Sequence, residues 1–282
     1  MSPIHDQSYR RYAGTREPIG RAWAVIAAAG IRGMLAKKMF LLVLIGECRI
    51  PVLVFTVRIW FAVSYPQAGQ LFGVTPAMFQ QFIEIQTFFI YCVTVYVGSG
   101  LIANDRRANA LQIYLAKPLL RVEYIAGKVA ILATFLLFIT LVPGLLLLVM
   151  QVSFSGSFSF LRSNLHVVPA VILSSLVHVV VASFAMLALS SLSKSARYVA
   201  ILYTGVIFFT SAMAGVLIGV TGSTRGAWVS IGMNLELVTD LMFREKPSYE
   251  APVMVSIMIL VGLVVLSISV LERRVRGVEV VK

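Results

Sequence analysis

The chain has 282 residues, 59% of them hydrophobic and only 13% charged, with a formal net charge of +12. A soluble domain carries about 25% charged residues, and one core of this size could not hide so much apolar side chain, so lipid is the solvent for most of the chain. Continuous apolar runs exclude a membrane β-barrel, whose strands alternate with period 2, and no soluble basic domain is available to hold nucleic acid.

In chain order, residues 1–38 read as a polar, basic N-terminus with no apolar core and cleavage site of the signal-peptide kind. Within it, Pro18 to Lys38 reads as an amphipathic helix. Ile19, Trp23, Ile26, Gly30 and Met34 recur at three- and four-residue spacing, with Arg21 and Arg32 on the opposite face. Pro18 suits a first helical position, and a basic face opposite a Trp-bearing one suits a helix in the headgroup plane. Gly20, Gly30 and Gly33 weaken it.

Six windows reach the roughly 20 apolar residues a bilayer crossing needs: Met39–Phe61, Gln80–Ile102, Val129–Gln151, Val167–Leu192, Ala200–Val220 and Pro252–Leu271. The predicted class is therefore an all-α integral membrane protein, with a six-helix domain over residues 39–271 and a tail at 272–282. Glu47 and Arg49 fall near the middle of the first window, where an ionised side chain costs about 2.5–3.5 kcal/mol. Two residues apart, they point to different faces, so each needs a partner helix, a water-filled path or a neighbouring subunit. Either a translocation path or a buried ion pair fits them. Arg58 near the end of that window and Glu84 near the start of the next reach similar depth in an antiparallel pair, which predicts a structural salt bridge. Cys48 and Cys92 lie inside windows and read as small packing residues.

Between the second and third windows stands a polar, basic stretch, Leu101 to Lys128 (LIANDRRANALQIYLAKPLLRVEYIAGK), far longer than a bare connection needs. Asn104 or Asp105 can cap a helix there, Leu111, Tyr114 and Leu115 share a face, and Pro118 closes it. The result is a short knob between two membrane helices. Pro143-Gly144 and Pro169 mark kinks. Another long connection, residues 221–251, places Ile231, Leu235, Val238 and Met242 on one helical face and Glu236 and Asp240 on another. It predicts an amphipathic helix resting in the outer leaflet, with Pro247 ending the approach to the sixth window.

Orientation follows from Lys and Arg. Eighteen lie before the first window, in the Leu101–Lys128 stretch, between windows four and five, and in the tail; only Arg162, Arg225, Arg244 and Lys246 lie on the other side. Both termini are expected in the cytoplasm, with anionic headgroups as the natural contact. Catalytic signatures are thin. His5, His166 and His178 have no metal-ligand spacing, so no metal site and no catalytic residue is expected, and no GxxxxGK[ST] exists for an ATP site.

The Leu101–Lys128 stretch resembles the cytoplasmic coupling segment of ABC-2 type transporter permeases, the membrane halves of ATP-driven exporters. The likeness rests on Leu101-Ile102-Ala103, Asp105, Ala110-Leu111, Pro118, Arg121 and Gly127-Lys128. Asn109 stands where that family commonly has glycine, and Gln112 where Glu is frequent. The resemblance implies an interfacial connecting helix before the first span, a coupling segment over residues 103–128, and ATPase contact through Asp105, Arg106, Arg107, Leu111, Tyr114, Pro118 and Arg121. It implies partners too: a dimeric ABC ATPase carrying the ATP and Mg, so that this chain holds no cofactor and is no enzyme itself, and a second permease copy or paralogue meeting it through the first and fifth spans. A bacterial inner membrane is the expected location. A secondary, ion-coupled carrier and a non-transporting membrane enzyme or assembly factor are the competing readings. The transported substrate is not legible.

Overall fold

The structure, a computed structural model, describes residues 22–65, 67, 73–110 and 120–275, without the side chains of Glu47 and Cys48. Every regular element among the described residues is helical. Helix α1 is Ala22–Leu35 and α2 is Lys38–Ser64. Helix α3, Pro76–Arg107, starts with Pro76 in its first turn, where a missing N–H is harmless, and is widened by a π turn at Thr94–Gly98. Then come α4 (Arg121–Ser155), the short α5 (Ser159–Ser163), α6 (Val167–Leu192) and α7 (Ala196–Thr221). A 3-10 turn at Thr224–Val229 leads into α8 (Ile231–Phe243), and α9 (Val253–Arg274) ends the fold. Helices α2, α3, α4, α6, α7 and α9 are long and apolar enough to cross a membrane, which makes this a multi-pass membrane chain.

Side chains sort the bundle into two ends. At the proximal end Ile102, Tyr124, Leu187, Leu271 and Val275 pack together with Ile26 of α1. At the distal end Phe55, Ile59, Phe79, Phe82, Leu147, Val167 and Phe243 form a second cluster. Helix α6 is the centre, with 61% of its apolar window buried, whereas α7 buries 11% and stands at the edge. Small residues permit the close approaches. A Cβ on Gly98 would sit 2.4 Å from Met186 Cγ, and one on Gly144 would sit 2.8 Å from Val171 Cγ1, so α3 and α4 lie directly against α6. Pro143 is accommodated inside α4 without ending it.

Three expectations change. Asp105 caps no helix start: it sits in the last turn of α3, which runs to Arg107, and α4 begins at Arg121. Helix therefore takes up residues 103–107 and 121–128 of the expected coupling segment. Leu111, Tyr114 and Pro118 lie outside the described residues. Second, α8 does not rest on the surface with an acidic face outward. Leu235, Leu237, Val238, Thr239 and Asp240 are all buried, because α8 packs against α6 and α9 through Val181 and Leu260 while Asp240 is satisfied from α3. Third, Arg58 and Glu84 do not pair. Arg58 Nη1 donates to Gln81 Oε1 at 2.9 Å, and Glu84 Oε1 accepts from Gln80 Nε2 at 2.8 Å. Residues 81 and 84 lie almost one turn apart on α3, so Arg58 finds the nearer amide.

Candidate functional site

Two polar constellations interrupt the apolar bundle, one at each end. The proximal one joins α3, α4 and α6. Asp105 Oδ2 takes a hydrogen bond from Tyr124 OH at 2.7 Å and an ion pair from Lys128 Nζ at 2.7 Å, with the two charged side chains only 19% and 11% exposed. Lys128 also lies over the Tyr124 ring, 5.4 Å from its centre. This is the single ion pair among the described residues. Next to it, the Arg106 guanidinium donates to the Ser191 carbonyl. Ser190 Oγ accepts from Ile102 N–H at 3.1 Å and Ala103 N–H at 3.0 Å and donates to the Ser99 carbonyl. Glu123 folds back to accept from Leu120 N–H at 3.2 Å and so caps α4.

The sequence-predicted coupling residues divide accordingly. Asp105 and Arg106 are tied into this knot, while Arg107 and Arg121 are exposed on either side of it. Asn109 adopts φ 51°, a left-handed conformation that glycine and asparagine tolerate best. Glycine and asparagine can therefore replace one another there. In α2, Arg49 is exposed on the helix surface, facing no partner helix among the described residues. The side chain of Glu47 lies outside what is described.

The distal constellation was not foreseen as a site. Asp240 Oδ1 accepts from Gln80 Nε2 at 2.5 Å and Oδ2 from Ser248 N–H at 2.7 Å. Gln80 donates equally to Glu84, and Tyr249 OH donates to Glu236 Oε2 at 2.9 Å. Three carboxylates thus gather where α3, α8 and the 248–249 segment meet, with no ion-pair partner among the described residues. A small chamber of about 180 Å³ opens beside them, lined by Glu84, Thr87, His178, Gly232, Glu236 and Thr239. A larger apolar chamber of about 340 Å³ adjoins it, sharing Thr87, His178 and Gly232 and continuing along Tyr91, Ala185 and Tyr203. No group of three or more His, Cys, Asp or Glu among the described residues is placed to hold a metal ion. The sequence did carry a signal. Gln80, Glu84, Thr87 and Tyr91 follow one another at four, three and four residues, a polar stripe on one face of an otherwise apolar helix.

Burial pushes the Glu236 carboxyl above its ordinary value of 4.5, against the Tyr249 hydrogen bond and helped by Glu84 and Asp240. Burial raises Asp240 as well, opposed by its Ser248 bond. Tyr249 is raised by burial and by the Glu236 carboxylate. A carboxyl whose folded-state value is raised stabilises the fold fully below its unfolded value, and that stabilisation is lost as pH rises through the raised value. Replacing Glu236 with glutamine removes this loss. The variant is expected to melt above the parent at pH of about 7.5 and to match it near pH 4.5, the ordinary glutamate value. An equal melting difference at both pH values would contradict this.

No protein-family model matches the chain, and a search of curated proteins finds no significant match.

Proposed function

We propose that this chain is the membrane-spanning permease subunit of an ABC-2 type exporter, powered by an ATPase on a separate polypeptide. One observation carries the reading. Asp105, Gly127 and Lys128 belong to the stretch that resembles the coupling segment, and they form the contacts that bind the two helices flanking it. The Asp105–Lys128 pair ties the end of α3 to the start of α4. Gly127 lets α1 lie against α4, since a Cβ there would meet Ile26 Cβ at 2.9 Å and the Trp23 carbonyl oxygen at 3.0 Å. A load applied to residues 108–120 is thereby delivered to α1, α3, α4 and, through Arg106 and Ser190, to α6 as one body. A motor domain needs such a linkage if its closure is to move a pore.

On this reading the proximal face is cytoplasmic, in a bacterial inner membrane. Arg107, Leu111, Tyr114, Pro118 and Arg121 meet the ATPase, with Asp105 and Arg106 holding them in place. A second copy or a paralogue supplies the other half of a twelve-span unit. It would cover α7 and α2, whose windows bury 11% and 25% within one chain, and Arg49 of α2 would then gain a neighbour.

Affinity purification of the tagged chain from its native membrane is expected to bring down a P-loop ATPase in equal amount. In reconstituted complex, Leu111→Asp is expected to leave insertion intact and to separate ATP hydrolysis from transport, because an acid at a cytosolic apolar contact breaks docking and leaves the spans untouched. An active chain isolated with no ATPase, or a Leu111→Asp complex with unchanged coupling, would sink the assignment.

A further inference from the structure

We propose that α3, α6 and α8 build a binding site for a primary alkylammonium amphiphile, its ammonium held among Glu84, Glu236 and His178 and its apolar tail in the adjoining chamber. The lining of the small chamber defines the head. The Thr87 hydroxyl donates its hydrogen to the Ile83 carbonyl of its own helix, and Thr239 donates its own to the Leu235 carbonyl. Both therefore present only lone pairs inward. His178 is 4% exposed, and its Nδ1 lies 2.8 Å from the Ser174 carbonyl. A carbonyl only accepts, so Nδ1 carries the proton and Nε2 is left as an acceptor. No partner engages Nε2 among the described residues, although the ring lines both chambers.

Glu84 and Glu236 each use one carboxylate oxygen on Gln80 and Tyr249. The other oxygen of each has no bonded partner and is not sealed from the chamber. Every polar side chain lining this space is thus an acceptor, two of them acidic, and none has a hydrogen left to give. An ammonium brings the complement: one positive charge and three N–H donors, set against Glu84, Glu236 and His178. Charge-assisted bonds of this kind are the strong ones. A quaternary ammonium has no N–H to give and fits less well.

The larger chamber defines the tail. Its volume of about 340 Å³ falls within the usual range for small-molecule pockets, about 300–1,000 Å³. Its wall runs from Tyr91 and Tyr203, whose rings stack with centres 6.2 Å apart, to Ala185 and Leu189. Leu192 and Leu266, also in the wall, are exposed on the outside of the bundle. The chamber therefore reaches the bundle surface beside Leu192 at the end of α6 and Leu266 of α9, the entry an amphiphile dissolved in lipid would use. That such a molecule is also transported rests on the ATPase-coupled reading. Its binding does not.

The test is calorimetric titration of octylammonium into the chain alone, reconstituted in phosphatidylcholine nanodiscs, with empty discs subtracted. Saturable binding of one octylammonium per chain is expected, with octyl sulfate giving no heat beyond empty discs and methylammonium binding far more weakly. Glu84→Gln and Glu236→Gln are each expected to weaken octylammonium about tenfold or more, the effect of losing a hydrogen bond to a charged group. Ala185→Phe, which fills the tail chamber and spares both acids, is expected to abolish it. If that variant fails to fold, the milder Ala185→Leu takes its place. Octyl sulfate binding as well as octylammonium would overturn the proposal, and so would methylammonium binding as tightly. Affinity unchanged in either glutamine variant would overturn it too, including a Glu236→Gln that alters only the melting profile. Because no ATPase is present, failure here leaves the ATPase-coupled reading standing, and absence of a copurifying ATPase leaves the binding result standing.

Discussion

Replacing Asp105 with alanine is expected to destabilise the folded chain by roughly 3 kcal/mol, the low end of what breaking a buried ion pair costs. Three features set that magnitude. The pair is short, 2.7 Å, and both side chains are largely shielded, so solvent screens it weakly. The same oxygen also accepts from Tyr124, so removing the carboxylate takes a hydrogen bond from that hydroxyl as well as the ion pair from Lys128. In the other direction, Asp105 stands in the last turn of α3, where a negative charge opposes the helix dipole. Lys128 must offset that cost, and Arg106 and Arg107 in the same turn help. A double-mutant cycle separates these contributions. Asp105→Ala combined with Lys128→Met is expected to cost less than the two single changes added together, because no unpaired charge remains. Tyr124→Phe alone is expected to cost about 1.5–2 kcal/mol, the low end for a hydrogen bond to a charged group. The measurement is reversible unfolding in mixed micelles. An Asp105→Ala loss no larger than that of Tyr124→Phe would mean that the ion pair carries little of the stability at this end.

The six crossings were legible because continuous hydrophobicity over about 20 residues is a local property. Where each helix stops was not, because ends are decided by partners. Helix α4 begins at Arg121, eight residues before its apolar run, since Glu123 caps it and Lys128 finds Asp105 on α3. The same limitation hid the distal site. Glu236 and Asp240 share a face at helical spacing, and in one dimension that pattern reads as a solvated stripe. The structure buries Asp240 and half-buries Glu236, because Gln80, 160 residues earlier in sequence than Asp240, supplies the amide that Asp240 needs. An acid with a distant donor and an acid facing water look alike until the chain is folded. The polar stripe from Gln80 to Tyr91 was the available hint, since four polar side chains on one face of a membrane-crossing helix must meet something other than lipid.

Gly127→Val is expected to detach α1 from the bundle, and a series of glycine variants shows why the effect is local. Glycine inside a helix costs about 1 kcal/mol relative to alanine, so what a Cβ would meet decides whether replacing each one helps or harms. At Gly127 the obstacles are the Ile26 Cβ at 2.9 Å and the Trp23 carbonyl oxygen at 3.0 Å. Both are fixed to the α1 backbone, and neither can swing aside. At Gly30 a Cβ would meet Ile131 at Cδ1 and, at 2.8 Å, at Cγ1, atoms of a buried, β-branched side chain that must shift before alanine fits. At Gly33 nothing lies within 4 Å. The expected order follows from these differences. Gly33→Ala tightens α1 by about 0.5–1 kcal/mol, Gly30→Ala loosens it by pressing on Ile131, and Gly127→Val loosens it most, by about 1–3 kcal/mol through overpacking. Limited proteolysis of the α1–α2 junction around Ala36 and Lys37 reads this directly: cleavage speeds most in Gly127→Val, less in Gly30→Ala, and slows in Gly33→Ala. Equal cleavage in all three would show that α1 is held by the lipid surface and not by α4. Under the permease reading the same variant separates two routes for force. A Gly127→Val complex keeps the Asp105–Lys128 pair, so it should still dock the ATPase, and any loss of transport then measures what α1 contributes.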